Sequence, residues 1–171
     1  MTPAARPPDN ELVALDELRS AIAAIADPEV PVLTIEDLGV LRSIETEGGR
    51  VTVTITPTYS GCPAMQYIED QIAAVITDSG REGEVRTVFR PAWTTEWMTD
   101  AGRSKLEHYG IAPPHALSTT DASVVAIRRP VRCPRCKSTD TEAVSEFGST
   151  ACKALYRCLS CDEPFDYFKE L

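Results

Sequence analysis

Four cysteines in the last third of the chain form two pairs with the spacing of metal ligands. Two residues separate Cys133 from Cys136 and Cys158 from Cys161, and 21 residues separate the two pairs. A tetrahedral zinc ion takes four soft ligands at about 2.3 Å, and each CxxC turn presents two thiolates toward one point. The spacing therefore predicts a structural Zn²⁺ site that uses all four sulfurs and leaves no open position for water or substrate.

Other chemistries use the same set of four sulfurs. Iron accepts this geometry, so a rubredoxin-like electron-transfer site is one alternative, and a redox-active dithiol is another. Zinc ribbons often bind nucleic acid, but residues 131–171 contain six basic and seven acidic side chains. Four thiolates and one zinc ion add a further charge of about -2. We therefore expect this module to present a protein-protein surface.

Cys62 lies outside the paired motifs, between Gly61 and Pro63. This position falls between a predicted strand and a predicted helix, where a thiolate would face the partial positive charge of the helix amino terminus. Such a charge lowers the pKa of a thiol and favours metal binding or nucleophilic chemistry. We therefore predict an accessible, ionised sulfur at Cys62. The alternative is a small buried residue that fills a strand-to-helix corner.

Cys152 is the remaining cysteine and lies between the two CxxC pairs. It can serve as a zinc ligand, as a surface thiol beside Lys153, or as a packed apolar residue. The sequence leaves these alternatives open, and Cys152 stays a candidate additional thiol.

Two tryptophans and a methionine follow the third predicted strand, at Trp93, Trp97 and Met98. Aromatic residues at this density are typical of a protein-protein hot spot, and equally of a lid over a small core. We treat these three side chains as candidate partner-binding residues.

Composition and charge exclude several classes of function. The chain has 171 residues, 43% of them hydrophobic, and a net charge of -9. This length accommodates a domain of about 100 residues and a smaller module. The longest apolar run, residues 21–26, is shorter than the roughly 20 residues of a transmembrane helix, so we expect no membrane partner. The acidic balance also predicts no nucleic-acid partner.

The amino-terminal segment and the missing motifs narrow the function further. Residues 1–10 lack the apolar core of a secretory signal, which predicts a cytoplasmic location and reduced cysteines. The sequence contains no GxxxxGK phosphate loop and no Glu-x-x-His pair of a di-iron oxygenase. We therefore expect a chain that neither hydrolyses a nucleotide nor carries a di-iron oxygenase site.

Composition also divides the chain into four segments. Proline-containing residues 1–9 predict a flexible tail, and residues 112–130, with their prolines and a Ser/Thr run, predict a linker. A first domain then spans residues 10–111, and the zinc ribbon spans residues 131–171.

Hydrophobic periodicity predicts the first half of the domain at residues 10–111. Apolar residues at helical spacing indicate a helix over about residues 12–25. Alternating apolar and threonine residues indicate a strand over residues 51–56. Gly48-Gly49 predicts a tight hairpin, so residues 39–45 should pair with that strand in antiparallel fashion.

The second half of this domain continues with a helix that begins near Pro63. A third strand over residues 84–90 should lie parallel to the second because a right-handed crossover joins them. A short helix over residues 100–109 ends at Gly110. This order predicts an α+β fold: a small mixed-sheet helix-strand-strand-helix-strand-helix domain, followed by a zinc ribbon. The ribbon strands are predicted at residues 142–147, 154–156 and 165–168.

Several motifs together resemble known families. The segments Asp27 to Pro31, Ile35 to Gly39 and Thr56 to Pro63 resemble the small domain of iron-sulfur assembly factors of the SufT type. Residues 91–98 and 147–158, with the terminal ribbon, are similar to the D subunits of bacterial 1,2-phenylacetyl-CoA epoxidases. The resemblance covers nearly the whole chain, and the combination of motifs is more specific than any one of them.

The resemblance implies a non-catalytic accessory protein of aerobic phenylacetate degradation that matures or inserts an iron-sulfur or iron centre. It implies that Cys62 contacts the cluster or metal, with Asp27 and Glu29 close by. Among the oxygenase components, the [2Fe-2S] reductase is then the natural client. A cluster that bridges two chains through Cys62 would favour a homodimer. The main alternative is a structural scaffold subunit of the oxygenase complex.

Overall fold

The computed structural model describes residues 9–115 and 130–170, and it describes side chains from residue 15 onward. Residues 1–8 of the predicted tail and residues 116–129 of the predicted linker lie outside this part. Within it, the order helix, strand, strand, helix, strand, helix and then three further strands confirms the predicted α+β fold with a carboxyl-terminal ribbon.

A three-stranded mixed sheet forms the centre of the first domain. Its strands are β1 (Leu41–Glu47), β2 (Arg50–Ile55) and β3 (Gly83–Thr87), in the order β1-β2-β3. As predicted, β1 is antiparallel and β3 is parallel to β2. The turn Gly48-Gly49 has positive φ at both residues (58° and 84°), which glycine adopts without steric cost. The predicted third strand is three residues too long, because pairing with β2 stops at Thr87.

Three helices accompany this sheet: α1 (Asp9–Ala23), α2 (Ala64–Asp78) and α3 (Asp100–Tyr109). Helix α2 buries one stripe of side chains at helical spacing, which places its apolar face on the core. The stripe consists of Ala64, Ile68, Ile72 and Ile76. Within the described part of the chain, each helix is too short or too polar to cross a bilayer.

Asp37 lies in the loop after α1 and connects this loop to helix α3 through hydrogen bonds. Its carboxylate accepts hydrogen bonds from Lys105 Nζ (2.6 Å), Thr34 N–H (3.0 Å) and the Thr99 hydroxyl (3.2 Å). Burial opposes ionisation of Asp37, but the bonds from Lys105 and Thr34 together hold its pKa below the usual value of an aspartate. The part of the loop that leads into β1 is therefore tied to α3.

The ribbon is an antiparallel sheet of β4 (Thr141–Ser145), β5 (Lys153–Cys158) and β6 (Pro164–Phe168), in that order. Its last strand joins the first domain: Tyr167 pairs with Ala112, the buried first residue of the predicted linker, and the buried Phe168 belongs to the first domain's hydrophobic core. Cys152 belongs to the same core. The two domains therefore share one packed interior.

Candidate functional site

The four cysteines of the two CxxC pairs converge on one point, as their spacing predicts. The sulfurs of Cys133 and Cys161 are 3.9 Å apart, those of Cys136 and Cys158 are 3.5 Å apart, and all four lie within 4.8 Å of one another. A tetrahedral ion with metal-sulfur bonds of 2.3 Å needs sulfur-sulfur distances of about 3.8 Å. The arrangement therefore fits a metal ion held by four thiolates.

The two CxxC turns hold their sulfurs with the same backbone geometry. The first cysteine of each pair donates its N–H to a carbonyl five residues ahead: Cys133 to Ser138 and Cys158 to Glu163, both at 2.9 Å. The residue after each pair, Lys137 or Asp162, has a φ near +60°, which curls the chain around the ligands. The two turns are therefore nearly symmetric in backbone conformation.

Cys62 lies at the start of α2, immediately after the loop that leaves β2. Pro63 caps the helix with its φ of -69°, the fixed value that suits a first helical turn. Cys62 is half-buried. Its side chain packs against the hydrophobic core. Cys62 thus lies half-buried at the edge of that core.

Asp27 closes a tight turn beyond the end of α1. Its Oδ1 atom accepts hydrogen bonds from the N–H groups of Glu29 and Val30, both at 2.8 Å. The side chain of Asp27 is only 6% exposed, and that burial raises its pKa in spite of these two bonds. Burial, followed by the charge of Asp27, also raises the pKa of Glu29. The two carboxylates form one acidic pair.

Cys152 approaches this pair from the ribbon. Its side chain is 4% exposed, and its sulfur lies 3.0 Å from the hydroxyl of Thr150. Burial raises the pKa of Cys152, and the charges of Glu29 and Asp27 add to the effect. The structure therefore places Cys152 in the first domain's hydrophobic core and outside the four-cysteine group.

The pKa expected for Cys62 is wrong in direction. Burial raises the pKa of this thiol to about 11, and the charges of Glu29 and Asp27 contribute. The N–H of Ala64 at the helix start lowers the pKa, as the helix argument requires, but it does not outweigh desolvation and two nearby carboxylates. The thiol is therefore protonated at neutral pH.

Two further side chains belong to this neighbourhood and were not singled out from the sequence. Lys153 is 5% exposed, its Nζ lies 3.6 Å from Asp166, and its charge lowers the pKa values of Asp27 and Cys152. Tyr59 has a pKa of about 12 because of burial and the adjacent Cys62. No sequence pattern indicates that Lys153 is buried. Tyr59 could have been found from the sequence, because it stands only three residues before the candidate Cys62.

The candidate partner-binding residues occupy different environments. Trp93 and Met98 are each 5% exposed, and the Trp93 indole N–H donates to the Leu38 carbonyl at 2.9 Å. Their burial favours the interpretation as a lid over the core. Trp97 is half-buried, and the Arg42 guanidinium lies 3.4 Å from its ring centre. Trp97 is thus the most accessible of the three residues.

Two family models match the chain. The model described as "Iron-sulfur cluster assembly protein" matches residues 15–88, and the model described as "PaaD zinc beta ribbon domain" matches residues 118–169. The first match contains Asp27, Glu29 and Cys62. The second contains Cys152 and the four converging cysteines.

Individual relatives agree with this division. The chain is 49% identical to a protein of Escherichia coli (strain K12) described as the D subunit of 1,2-phenylacetyl-CoA epoxidase, over 90% of this chain and 91% of that protein. It is 31% identical to an Fe-S protein maturation auxiliary factor of Porphyromonas gingivalis, over 57% of this chain and 96% of that factor. The crystal structure of a domain of unknown function from Bacillus anthracis has a TM-score of 0.50 and 25% identity, over 56% of this chain and 92% of that one.

Proposed function

Because this chain belongs to the family of 1,2-phenylacetyl-CoA epoxidase D subunits, we propose that it is a non-catalytic accessory protein that matures or inserts an iron-sulfur or iron centre of that oxygenase system. The observation that carries this proposal is the grouping of Cys62 with Asp27 and Glu29 at one partly exposed corner. The relatives described as maturation factors match this same part of the chain.

The electrostatics of this corner suit a cargo that is held and then released. The carboxylates of Asp27 and Glu29 attract a cation, and the bound cation in turn favours loss of the Cys62 proton. Because the pKa of Cys62 is about 11, protons compete with the metal by roughly four orders of magnitude at pH 7. Such competition weakens binding enough for transfer to a client.

The ribbon has a different role in this proposal. Its four cysteines hold Zn²⁺, which supplies folding free energy of roughly 10 kcal/mol or more to a module that is too small to fold unaided. With four thiolate ligands the ion has no open position, so it performs no reaction. The ribbon then contributes a surface for oxygenase components in the cytoplasm.

The [2Fe-2S] reductase of the oxygenase is the client to test. The reductase is produced together with wild-type protein or with the Cys62→Ser variant, and its iron, sulfide and visible absorption are measured. We expect cluster occupancy to fall several-fold with Cys62→Ser. The exposed neighbour Ser60, changed to Ala, is the matched control and should leave occupancy unchanged.

The same experiment tests the scaffold alternative. Unchanged occupancy with Cys62→Ser would remove the delivery role. Stoichiometric co-purification of this chain with the active oxygenase would then assign it to the complex as a structural subunit.

A further inference from the structure

Strand β3 lies at one edge of the first domain's sheet, and β2 is its neighbour among the described residues. The bonds between the two strands start at the Glu82 carbonyl, which accepts from the Val51 N–H at 2.8 Å. Because bonds to one neighbour alternate along a parallel strand, the N–H and C=O groups of Gly83, Val85 and Thr87 point away from β2. Along this edge, β3 therefore presents hydrogen-bonding groups that no described backbone group uses.

The other described sheet edges are irregular or covered. The pairings of β1 and β4 each contain a register shift, and the Arg19 guanidinium donates to the Ile44 carbonyl of β1 at 2.8 Å. Strand β6 is bridged by Ala112. Irregular pairing and covered backbone groups keep a sheet edge from adding another strand. The pairing of β3 with β2 has no register shift, so β3 is the edge best suited to strand addition.

A groove of about 380 Å³ runs between this edge and helix α2. Its helical wall consists of Ala73, Ile76 and Thr77, and its strand wall includes Gly83 and Val85. The two walls approach closely at Gly83, where an added Cβ would lie 3.0 Å from the Ile76 side chain. We refer to this space as the β3 groove.

Arginines from two elements line the β3 groove: Arg50 at the start of β2 and Arg81 in the turn before β3. The carboxylate of Glu82 is 90% exposed and lies 3.9 Å from Arg50, which is too far for a hydrogen bond. The charge of Glu84 is offset by its ion pair with Arg86. The groove thus has an excess of positive charge on a chain whose net charge is -9, and a carboxylate of a partner complements it.

We propose that the β3 groove binds an extended, acidic segment of the client protein, which adds a fourth strand to the sheet and places a carboxylate side chain against Arg50 and Arg81. This inference rests on the proposed function, because it assigns the surface on which the client of that function docks. Backbone hydrogen bonds to β3 supply affinity, and the two arginines set the position of the segment along the strand.

The β3 groove also has a direction relative to Cys62. The Thr87 hydroxyl donates to Glu69 Oε1 at 2.5 Å, which joins the end of β3 to the first half of α2. Arg81 follows the other end of α2, whereas Cys62 lies just before its first turn. A segment that binds Arg81 and extends along α2 therefore leads toward Cys62, the proposed contact for the cargo.

Binding of the purified [2Fe-2S] reductase to the full-length, zinc-loaded chain tests this site. Ala73→Tyr fills the groove. Ala74→Tyr is the matched control, because Ala74 is the next residue of α2, is exposed and does not line the groove. We expect Ala73→Tyr to weaken the affinity, measured by isothermal titration calorimetry, at least about 10-fold, and Ala74→Tyr to leave it unchanged.

A second pair of variants tests the charge of the groove. Arg81→Gln should weaken binding about 3- to 10-fold at low salt, and the loss should shrink as the ionic strength rises. Arg90→Gln makes the same change of charge at an exposed position outside the lining, so its affinity should equal that of the wild type.

Hydrogen exchange followed by NMR reports strand addition itself. The amides of Val85 and Thr87 point away from β2, so we expect both to exchange at least about 10-fold more slowly in the complex than in the free chain. A contact through side chains alone would leave their exchange unchanged.

Several results would overturn the proposal: no measurable binding of the reductase, equal affinities for Ala73→Tyr and Ala74→Tyr, or unchanged exchange of both amides in the complex. Slow exchange of both amides in the free, monomeric chain would assign the edge of β3 to another segment of this chain instead. A dimer that Ala73→Tyr dissociates would assign the edge to a second copy instead. If Ala73→Tyr fails to fold by circular dichroism, the exchange of the wild-type amides decides.

Cluster occupancy of the reductase separates this proposal from the proposed function. If occupancy depends on Cys62 while the groove variants bind normally, the delivery role stands and the β3 groove is removed as the docking site. If the groove variants bind weakly while occupancy is independent of Cys62, the docking site stands and the delivery role is removed.

Discussion

The ring of Trp93 in the first domain packs against the ring of Phe168 at the end of the ribbon, with centroids 6.3 Å apart and planes tilted by 57°. Both side chains are buried, at 5% and 1% exposure. Through this pair the ribbon completes the interior of the domain that carries Cys62. The relative position of Cys62 and Cys152 therefore depends on packing as well as on chain connectivity.

Removal of the Phe168 ring should destabilise both domains together. For Phe168→Ala we expect a loss of about 3–5 kcal/mol in the free energy of unfolding, because a large buried ring leaves a cavity. Phe147→Ala is the control, since Phe147 is 68% exposed, and it should cost less than about 1 kcal/mol. Urea unfolding followed by tryptophan fluorescence and by circular dichroism measures both. A Phe168→Ala variant as stable as the control would contradict a shared core.

Removal of the ribbon metal should change the environment of Trp93 as well as the structure of the ribbon. Without the metal, β4 to β6 lose the cross-link that holds them, and Phe168 then leaves the core. We expect exhaustive chelation to reduce β-sheet circular dichroism and to shift tryptophan emission to longer wavelength. An unchanged emission spectrum after complete metal loss would show that the first domain folds independently of the ribbon.

The reactivity of Cys62 should report the charge of Glu29. Because the pKa of Cys62 is about 11, alkylation should be slow at pH 7 and should accelerate as the pH rises toward that value. Glu29→Gln removes a charge that raises this pKa, so we expect alkylation at fixed pH to become about 2- to 10-fold faster, up to one pKa unit. Mass spectrometry of the Cys62 peptide measures the rate.

Glu36→Gln is the control for this experiment, because Glu36 is an exposed carboxylate of the same loop. Its exposed carboxylate is not among the charges that act on Cys62, so its rate should equal that of the wild type. Equal rates for Glu29→Gln and the wild type would refute the electrostatic coupling.

The absence of a side chain at Gly39 allows Trp97 to pack closely against the loop after α1. Its φ is +70°, and an added Cβ would lie 2.3 Å from the Trp97 carbonyl oxygen. Gly39→Ala should therefore cost about 2–5 kcal/mol, through backbone strain and a steric clash that shifts Trp97. Gly48→Ala has the same sign of φ, but its Cβ would meet no described atom within 4 Å, so about 1 kcal/mol is expected. Equal urea midpoints for the two variants would disprove the close contact.

Local patterns were sufficient to predict most elements of the first domain. The alternation in residues 51–56 gave β2 because every second side chain of this strand is buried. Gly48-Gly49 correctly predicted the hairpin, and the CxxC spacing correctly predicted that the four sulfurs converge. These features depend on residues that are neighbours in sequence or that share one metal geometry.

Relationships between distant residues were not predictable in the same way. The position of Cys152 depends on how β6 pairs with Ala112 and how Phe168 packs, and neither contact produces a periodic pattern. The predicted lowering of the Cys62 pKa is wrong. The helix start that lowers the pKa is visible in the sequence, whereas the burial and the charge of Glu29 that raise it are not. Desolvation is set by tertiary packing.

Iron and acid-labile sulfide bound to Cys62 test the central claim most directly. Zinc-loaded wild-type and Cys62→Ser proteins are incubated anaerobically with ferrous iron and sulfide, desalted and analysed for iron, sulfide and zinc. We predict that the wild type retains iron, and that Cys62→Ser loses most of it with zinc unchanged. Equal iron in the two proteins would contradict the assignment of Cys62 as the contact for the cargo.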